Sequence, residues 1–348
     1  MRCVRASLFL LAAMLTQVHA APGEHKVAAA APKKLNVVTT LSVLKSLTEE
    51  VGGNLVEVKS LLLPSQDPHY IKPLPTRKEW LMKADMAVKI GMELELWFDS
   101  LVTSAGNKKL SGSGVVVASD GIRPLEIPSN QTRAHGDIHA KGNPHIWLSP
   151  INALKMADNI KKGLIAQDAA HKATYEANYE AFKKKVTEAL VGLDLVKAAG
   201  VDVLLRHYEG KKLKDYLALH KKQPAGWLKF AEQIDYTFLT YHTVWSYLAD
   251  GFGLKVFALN IEEKPGVEPG LLYRTTLIEK ANAAHIKHIV VASYYEQFRN
   301  TIEKIASPLG AQVIYIDADC RDKETYVAMM DRIIKDFVQA KNAPKKTP

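Results

Sequence analysis

The chain has 348 residues, a formal net charge of +9, 47% hydrophobic residues and 24% charged ones. That balance belongs to a folded globular chain rather than a disordered one, and the length allows two domains. The cysteines, Cys3 and Cys320, are too few to build a disulfide scaffold.

The lysines gather in short clusters such as Lys161-Lys162, Lys183-Lys184-Lys185 and Lys221-Lys222. None is interleaved with aromatics or Gly-rich loops as a nucleic-acid surface would be, so nucleic acid is not an expected partner. The basic excess reads as a solvated surface.

In chain order, Arg2 and Arg5 precede an apolar stretch from Ala6 to Leu15, and Val18-His19-Ala20 follows as a small-residue cleavage site. Residues 1–20 therefore read as an export signal, because the apolar stretch is shorter than the roughly 20 residues a membrane helix needs. Cys3 leaves with that signal, and Cys320 remains as a lone thiol near a strand end, read as a packing residue although thiolate can ligate zinc. Residues 21–34 read as a flexible tether.

Strands and helices then alternate. Leu35–Thr39 is a β-branched run, a helical pattern follows from Ser42 to Val51, and Gly52-Gly53 stops it. Val56-Glu57-Val58 running on into Leu61-Leu62-Leu63 predicts a second strand, with Met86–Ile90 and Val115–Val117 as two more. Alternation of this kind implies a parallel sheet flanked by helices, here over residues 35–171.

Residues 172–199 differ. Tyr175, Tyr179, Phe182, Val186, Leu190 and Leu193 recur at three- and four-residue steps, which predicts one long helix suited to a rigid strut. Residues 200–341 resume the alternation, with strands expected at Tyr236–Tyr241, Lys255–Leu259, His288–Ala292 and Gln312–Ile316, before a tail over 342–348. The opening of this half, strand, helix, glycine stop and strand, echoes that of the first, so two related lobes are expected.

Chemistry concentrates in two echoing loops, Asp67-Pro68-His69 and Asn143-Pro144-His145. Proline keeps the residue before it out of the helical region and stiffens the turn, so each histidine leaves its loop in a preset direction. Neutral imidazole is the commonest metal-ligand side chain. His69 follows a strand, and in parallel sheets ligands bind at the carboxyl ends of strands. His242 and Asp317 also end strands, so His69, His145, His242 and Asp317 compose a four-ligand site of a kind that suits Zn²⁺. A loop histidine taken alone is ordinarily a polar surface residue. Asp317 has rivals in Asp319, Glu296 and Glu262-Glu263, while His207, His220, His285 and His288 lack such placement and read as structural or exposed.

At this point the chain resembles the periplasmic zinc/manganese-binding receptors of metal-importing ABC transporters. The resemblance rests on DPHYIKPLPT, IGMELELWFDSLV, NPHIWLSP, YHTVWSYLADGFGLKV and VIYIDAD followed by ETYVAMM, in this order. It implies two α/β lobes with parallel sheets and flanking helices, joined by one long rigid helix, with the metal in the cleft between them. It also implies that His69, His145, His242 and Asp317 are the ligands, that a periplasmic monomer is the working form, and that an inner-membrane ABC permease is the partner. The family usually has Asp where this chain has Asn143, a residue that supports rather than ligates. Zinc-specific members often carry a His-rich loop upstream of the second Pro-His; here that stretch, Arg133–Ala140, holds only His135 and His139, read either as auxiliary zinc capture or as an ordinary loop.

Imidazole-rich ligation favours Zn²⁺ over Mn²⁺, with Mn²⁺ or Fe²⁺ as the alternative cargo. A secreted zinc hydrolase is the competing class. It requires an open coordination position and a general base, and no H-E-x-x-H pair occurs. Binding, not catalysis, is expected.

Overall fold

The computed structural model describes residues 34–71, 74–128, 139–264 and 266–342. The expected export signal, all of the tether but Lys34, His135 and the tail from 343 lie outside the described residues. Among the described residues no helix is long and apolar enough to cross a membrane.

Among the described residues eight strands form two parallel four-stranded sheets. The first consists of β1 (Leu35–Thr39), β2 (Val56–Ser60), β3 (Met86–Lys89) and β4 (Val115–Val117), in the order β2-β1-β3-β4. The second consists of β5 (Thr237–Thr240), β6 (Lys255–Asn260), β7 (His288–Ala292) and β8 (Gln312–Ile316), in the order β6-β5-β7-β8. The two orders are the same when each half is counted from its own first strand, so the loose echo in sequence is a repeated topology. Sheet register is regular at the centre, Val37 facing Val58 on one side and Met86 on the other.

Each strand forms for the expected reason. Val37 and Val38 are buried on opposite faces of β1 because helices cover both sides of a parallel sheet. The helix Ser42–Gly52 buries Val43, Leu44, Leu47 and Val51 along one stripe and ends at Gly53, whose φ of +55° and ψ of −134° a side-chain-bearing residue rarely adopts. β2 is shorter than the apolar run predicted. It stops at Ser60, and Leu61 and Leu62 turn inward while their N–H groups still bond the carbonyls of Thr39 and Thr40.

The long helix is also shorter than expected. It spans Lys172–Val191, 20 residues, or about 30 Å at 1.5 Å per residue. Gly192 ends it with φ +95° and ψ 149°, a conformation that breaks the helical path, and Leu193–Ala199 is a separate short helix. A Cβ at Gly192 would stand 2.6 Å from that of Ala225, because the chain recrosses here and Ala225 donates its N–H to the Val191 carbonyl. Tyr175, Phe182, Val186 and Leu190 are buried as the stripe predicts, whereas Leu193, beyond the break, is exposed.

This helix packs against Ser42–Gly52 and Pro150–Gln167 of the first half and against Gly226–Ala231 and Tyr326–Asn342 of the second. One hydrophobic core runs from Val37 through Phe182 to Phe337 without a gap between the lobes. Polar ties reinforce it. Trp147 donates its indole N–H to the Ala318 carbonyl at 2.7 Å, and the Tyr326 hydroxyl donates to the Trp147 carbonyl at 3.1 Å. The carboxylate of Asp319, just past β8, caps the first helix of the other lobe by accepting from the N–H groups of Ser42 at 3.1 Å and Val43 at 2.6 Å.

Candidate metal centre

The two Pro-His loops are built the same way. Asp67 Oδ1 accepts from the backbone N–H of His69 at 3.0 Å and meets its Nδ1 at 2.7 Å. Asn143 Oδ1 does both for His145, each at 2.9 Å. The residue two positions before the histidine thus orients the ring and leaves its Nε2 pointing away from the loop. Trp97 anchors the first loop by donating to the Pro68 carbonyl at 3.1 Å. The second runs straight into the buried turn Ile146–Leu148.

His242 follows β5. Its Nδ1 meets Glu262 Oε2 at 2.6 Å, Glu262 having arrived at the end of β6, the strand beside β5. The other Glu262 oxygen accepts from the Gly266 N–H at 2.8 Å. A carboxylate behind an imidazole fixes the tautomer and strengthens the opposite nitrogen as a donor to metal. Glu262 entered the sequence reading only as a rival ligand. Its signal was its place at a strand end beside that of His242.

The rings converge. His69 lies 5.5 Å from His145 and 5.4 Å from His242, centroid to centroid, and His145 lies 5.1 Å from His242. His139 joins them, its ring 5.0 Å from that of His69 and its Nε2 3.0 Å from His69 Nε2. Among the described residues, ligand atoms of His69, His139 and His242 lie within 4.8 Å of one another. The Nε2 atoms of His145 and His242 are fully buried and have no hydrogen-bond partner. A buried polar atom without a partner is costly. Two of them beside two more imidazoles fit a divalent cation of borderline softness such as Zn²⁺.

At His139 and His145 the electrostatics favour the neutral ring. Burial, then the neighbouring imidazoles, hold His145 far below the usual imidazole value. Burial, followed by His69 and His242, brings His139 down to about 3. Burial alone would raise Asp67, but the hydrogen bonds and charge of His69 outweigh it and keep the carboxyl below its ordinary value. A cavity of about 230 Å³ lined by Asp67, Tyr70, Glu262 and Tyr295 reaches His69 and His242. A larger one of about 1020 Å³ meets His139 and His242 from another side.

Asp317, expected as the fourth ligand, is not brought to this group. Its Oδ2 is held by Arg321 at 2.6 Å, and its backbone carbonyl accepts from Arg332 at 2.8 Å. Burial would raise its carboxyl, but Ser293 and Arg321 outweigh that and hold it low. Its rival Asp319 is the helix cap described above. Cys320 is buried against Met329, with Sγ 3.6 Å from Sδ, and burial raises its thiol well above the ordinary value, so it packs rather than ligates. His139, read from sequence either as auxiliary capture or as part of an ordinary loop, stands in the main cluster. Of the remaining histidines, His207 and His220 flank Tyr216, and His288 lies on β7 against Tyr236.

Two parallel-sheet lobes on one core, with inward-facing histidines from both, define a two-lobed metal-binding protein of the solute-receptor class. The chain belongs to the family described as zinc-uptake complex component A, periplasmic, whose model matches residues 37–190 and 211–340. The interval left unmatched holds the break at Gly192, the helix Leu193–Ala199 and all of the helix Val201–Glu209.

Among curated relatives, the chain is 33% identical over 181 residues to the iron-binding protein YfeA of Yersinia pestis, covering 52% of this chain and 55% of that protein. It is 35% identical over 159 residues to the manganese ABC transporter substrate-binding lipoprotein PsaA of Streptococcus pneumoniae, covering 44% and 49%. The match thus spans about half the length of these relatives. In structure the chain is similar to a crystal structure of ZnuA, with a TM-score of 0.65 at 21% identity, covering 88% of this chain and 99% of that one. A manganese-bound periplasmic metal-binding protein from Candidatus Liberibacter asiaticus gives 0.63 at 20% identity, with 88% and 99% covered. These structural likenesses establish the fold.

Proposed function

We propose that the protein is an extracytoplasmic receptor that captures Zn²⁺ between its lobes and hands it to an inner-membrane ABC permease. The ligand set we assign is His69, His139, His145 and His242, with Asp67, Asn143 and Glu262 as their orienting partners. The observation that carries this reading is the pair of buried, unpartnered Nε2 atoms on His145 and His242, on rings whose centroids lie 5.5 and 5.4 Å from that of His69. His139 takes the place that the sequence reading gave to Asp317.

An all-imidazole set suits Zn²⁺ and lacks the carboxylate oxygens that suit Mn²⁺. Relatives named for iron and for manganese keep Mn²⁺ and Fe²⁺ as competing cargo. A hydrolase is disfavoured because a fourth imidazole closes the position a catalytic water needs. The nearby carboxylates Asp67 and Glu262 are also committed to their histidines. Cargo captured across two lobes gives a permease a loaded form to distinguish from an empty one. The family's periplasmic description agrees with the export signal expected at the start of the chain.

Competitive titration of metal-free protein with Zn²⁺ and Mn²⁺ tests the assignment. One zinc per chain and a strong preference over manganese are expected. His242→Ala should weaken zinc by more than the roughly 10–100-fold typical of losing only an outer partner. Equal zinc affinity in that variant would refute the two-lobe site.

A further inference from the structure

Asn143 does more than orient His145. Its amide nitrogen donates to Glu126 Oε2 at 2.8 Å and to the carbonyl of Thr243 at 2.7 Å. Both amide hydrogens are therefore spent, and the amide oxygen must be the atom that faces His145 Nδ1. This fixes the ring as the tautomer protonated on Nδ1, with the Nε2 lone pair turned into the cluster. Thr243 is the neighbour of His242 in the chain, so one buried side chain ties His145 of the first lobe to the His242 loop of the second.

Glu126 closes the link. Its Oε1 accepts from the hydroxyl of Ser246, at the start of the helix that follows His242, at 2.7 Å. Its own backbone sits at φ +53°, a conformation costly for a residue with a side chain. Strain of this kind persists where surrounding bonds over-determine it. A third tie runs alongside: the Tyr247 hydroxyl donates to the Asn143 carbonyl at 2.8 Å and accepts from the Leu125 N–H at 3.0 Å.

We infer that Glu126 and Asn143 form a cross-lobe brace that holds His145 and His242 at ligating separation and slows release of the metal. Both are positioning residues, acting through the histidines. The inference rests on the proposed ligand set. It also accounts for the amide at position 143: a carboxylate there could donate to neither Glu126 nor Thr243 and would set two negative groups against each other.

The test uses the full chain with Zn²⁺ and with Co²⁺, whose visible spectrum reports coordination geometry. Glu126→Ala should weaken zinc by about tenfold, at the lower end of the range for an outer partner. Most of that loss should appear as faster zinc release to a chelator, with an altered cobalt spectrum, in a metal-free protein that still unfolds cooperatively. Ser246→Ala, which removes one arm, should shift release in the same direction by less. Asn143→Asp should also weaken zinc, and adding Glu126→Ala to it should recover part of the loss because the two carboxylates no longer meet.

Wild-type affinity, release rate and cobalt spectrum in Glu126→Ala would overturn the brace while leaving the metal site standing. A loss in Asn143→Asp that is the same with and without Glu126 would overturn it too. If the wild-type protein takes up neither zinc nor cobalt, the ligand set fails and the brace with it.

Discussion

Three histidines of the centre are each set by the atom behind them. His69 leans on Asp67, His145 on Asn143 and His242 on Glu262. Glu262→Gln keeps the side chain's length but removes the charge, so zinc affinity should fall by about 10–100-fold. Asp317→Asn should leave it unchanged, because that carboxylate answers to Arg321. The same competition titration reads both, and a large loss in Asp317→Asn would return that residue to the ligand set. The Pro-His loops were legible because their geometry is local: the orienting residue sits two positions before the ring. The Asp317 side chain turns to Arg321; a strand end says where a side chain starts and nothing about where it points. The approach of His139 to His69 was out of reach because it spans 70 positions.

Among the elements, the strands could be read almost residue by residue, since a parallel sheet covered on both faces writes itself as β-branched runs. The long helix was legible as a stripe, but its end was not. Gly192 has the composition of a tolerated helix glycine, and only the recrossing at Ala225 shows why it must break the path.

The cap on the first helix lay further out of reach, as Asp319 and Val43 stand 276 positions apart. That cap carries a pH signature. Burial outweighs three N–H donors and raises the Asp319 carboxyl from 3.8 to about 7. In the unfolded chain the group ionises near its ordinary value, so the folded state alone holds the proton between the two. Its contribution to stability is complete below about pH 4 and is lost as pH rises towards 7. Asp319→Asn should flatten this slope, so that urea unfolding of metal-free wild type loses more stability from pH 4 to pH 7 than the variant does. Parallel slopes would contradict the assignment.

At the largest scale, the described residues form two lobes on one core, with the clustered histidines at the carboxyl ends of both sheets. The continuous packing through Phe182, Trp147 and Tyr326 limits how far the lobes can swing. On the proposed function, discrimination between empty and loaded forms would fall to the loops that carry His69, His139, His145 and His242 rather than to wide opening of a cleft. The repeat of strand order brings comparable loops to the same edge twice, which is how residues as distant as His69 and His242 come to face one another.

X-ray absorption at the zinc edge of the protein loaded with one equivalent tests the central claim most directly. The account predicts four nitrogen neighbours at about 2.0–2.1 Å with the scattering pattern of imidazole rings. A shell with a carboxylate oxygen in place of the fourth imidazole, or one built on sulfur, would contradict it.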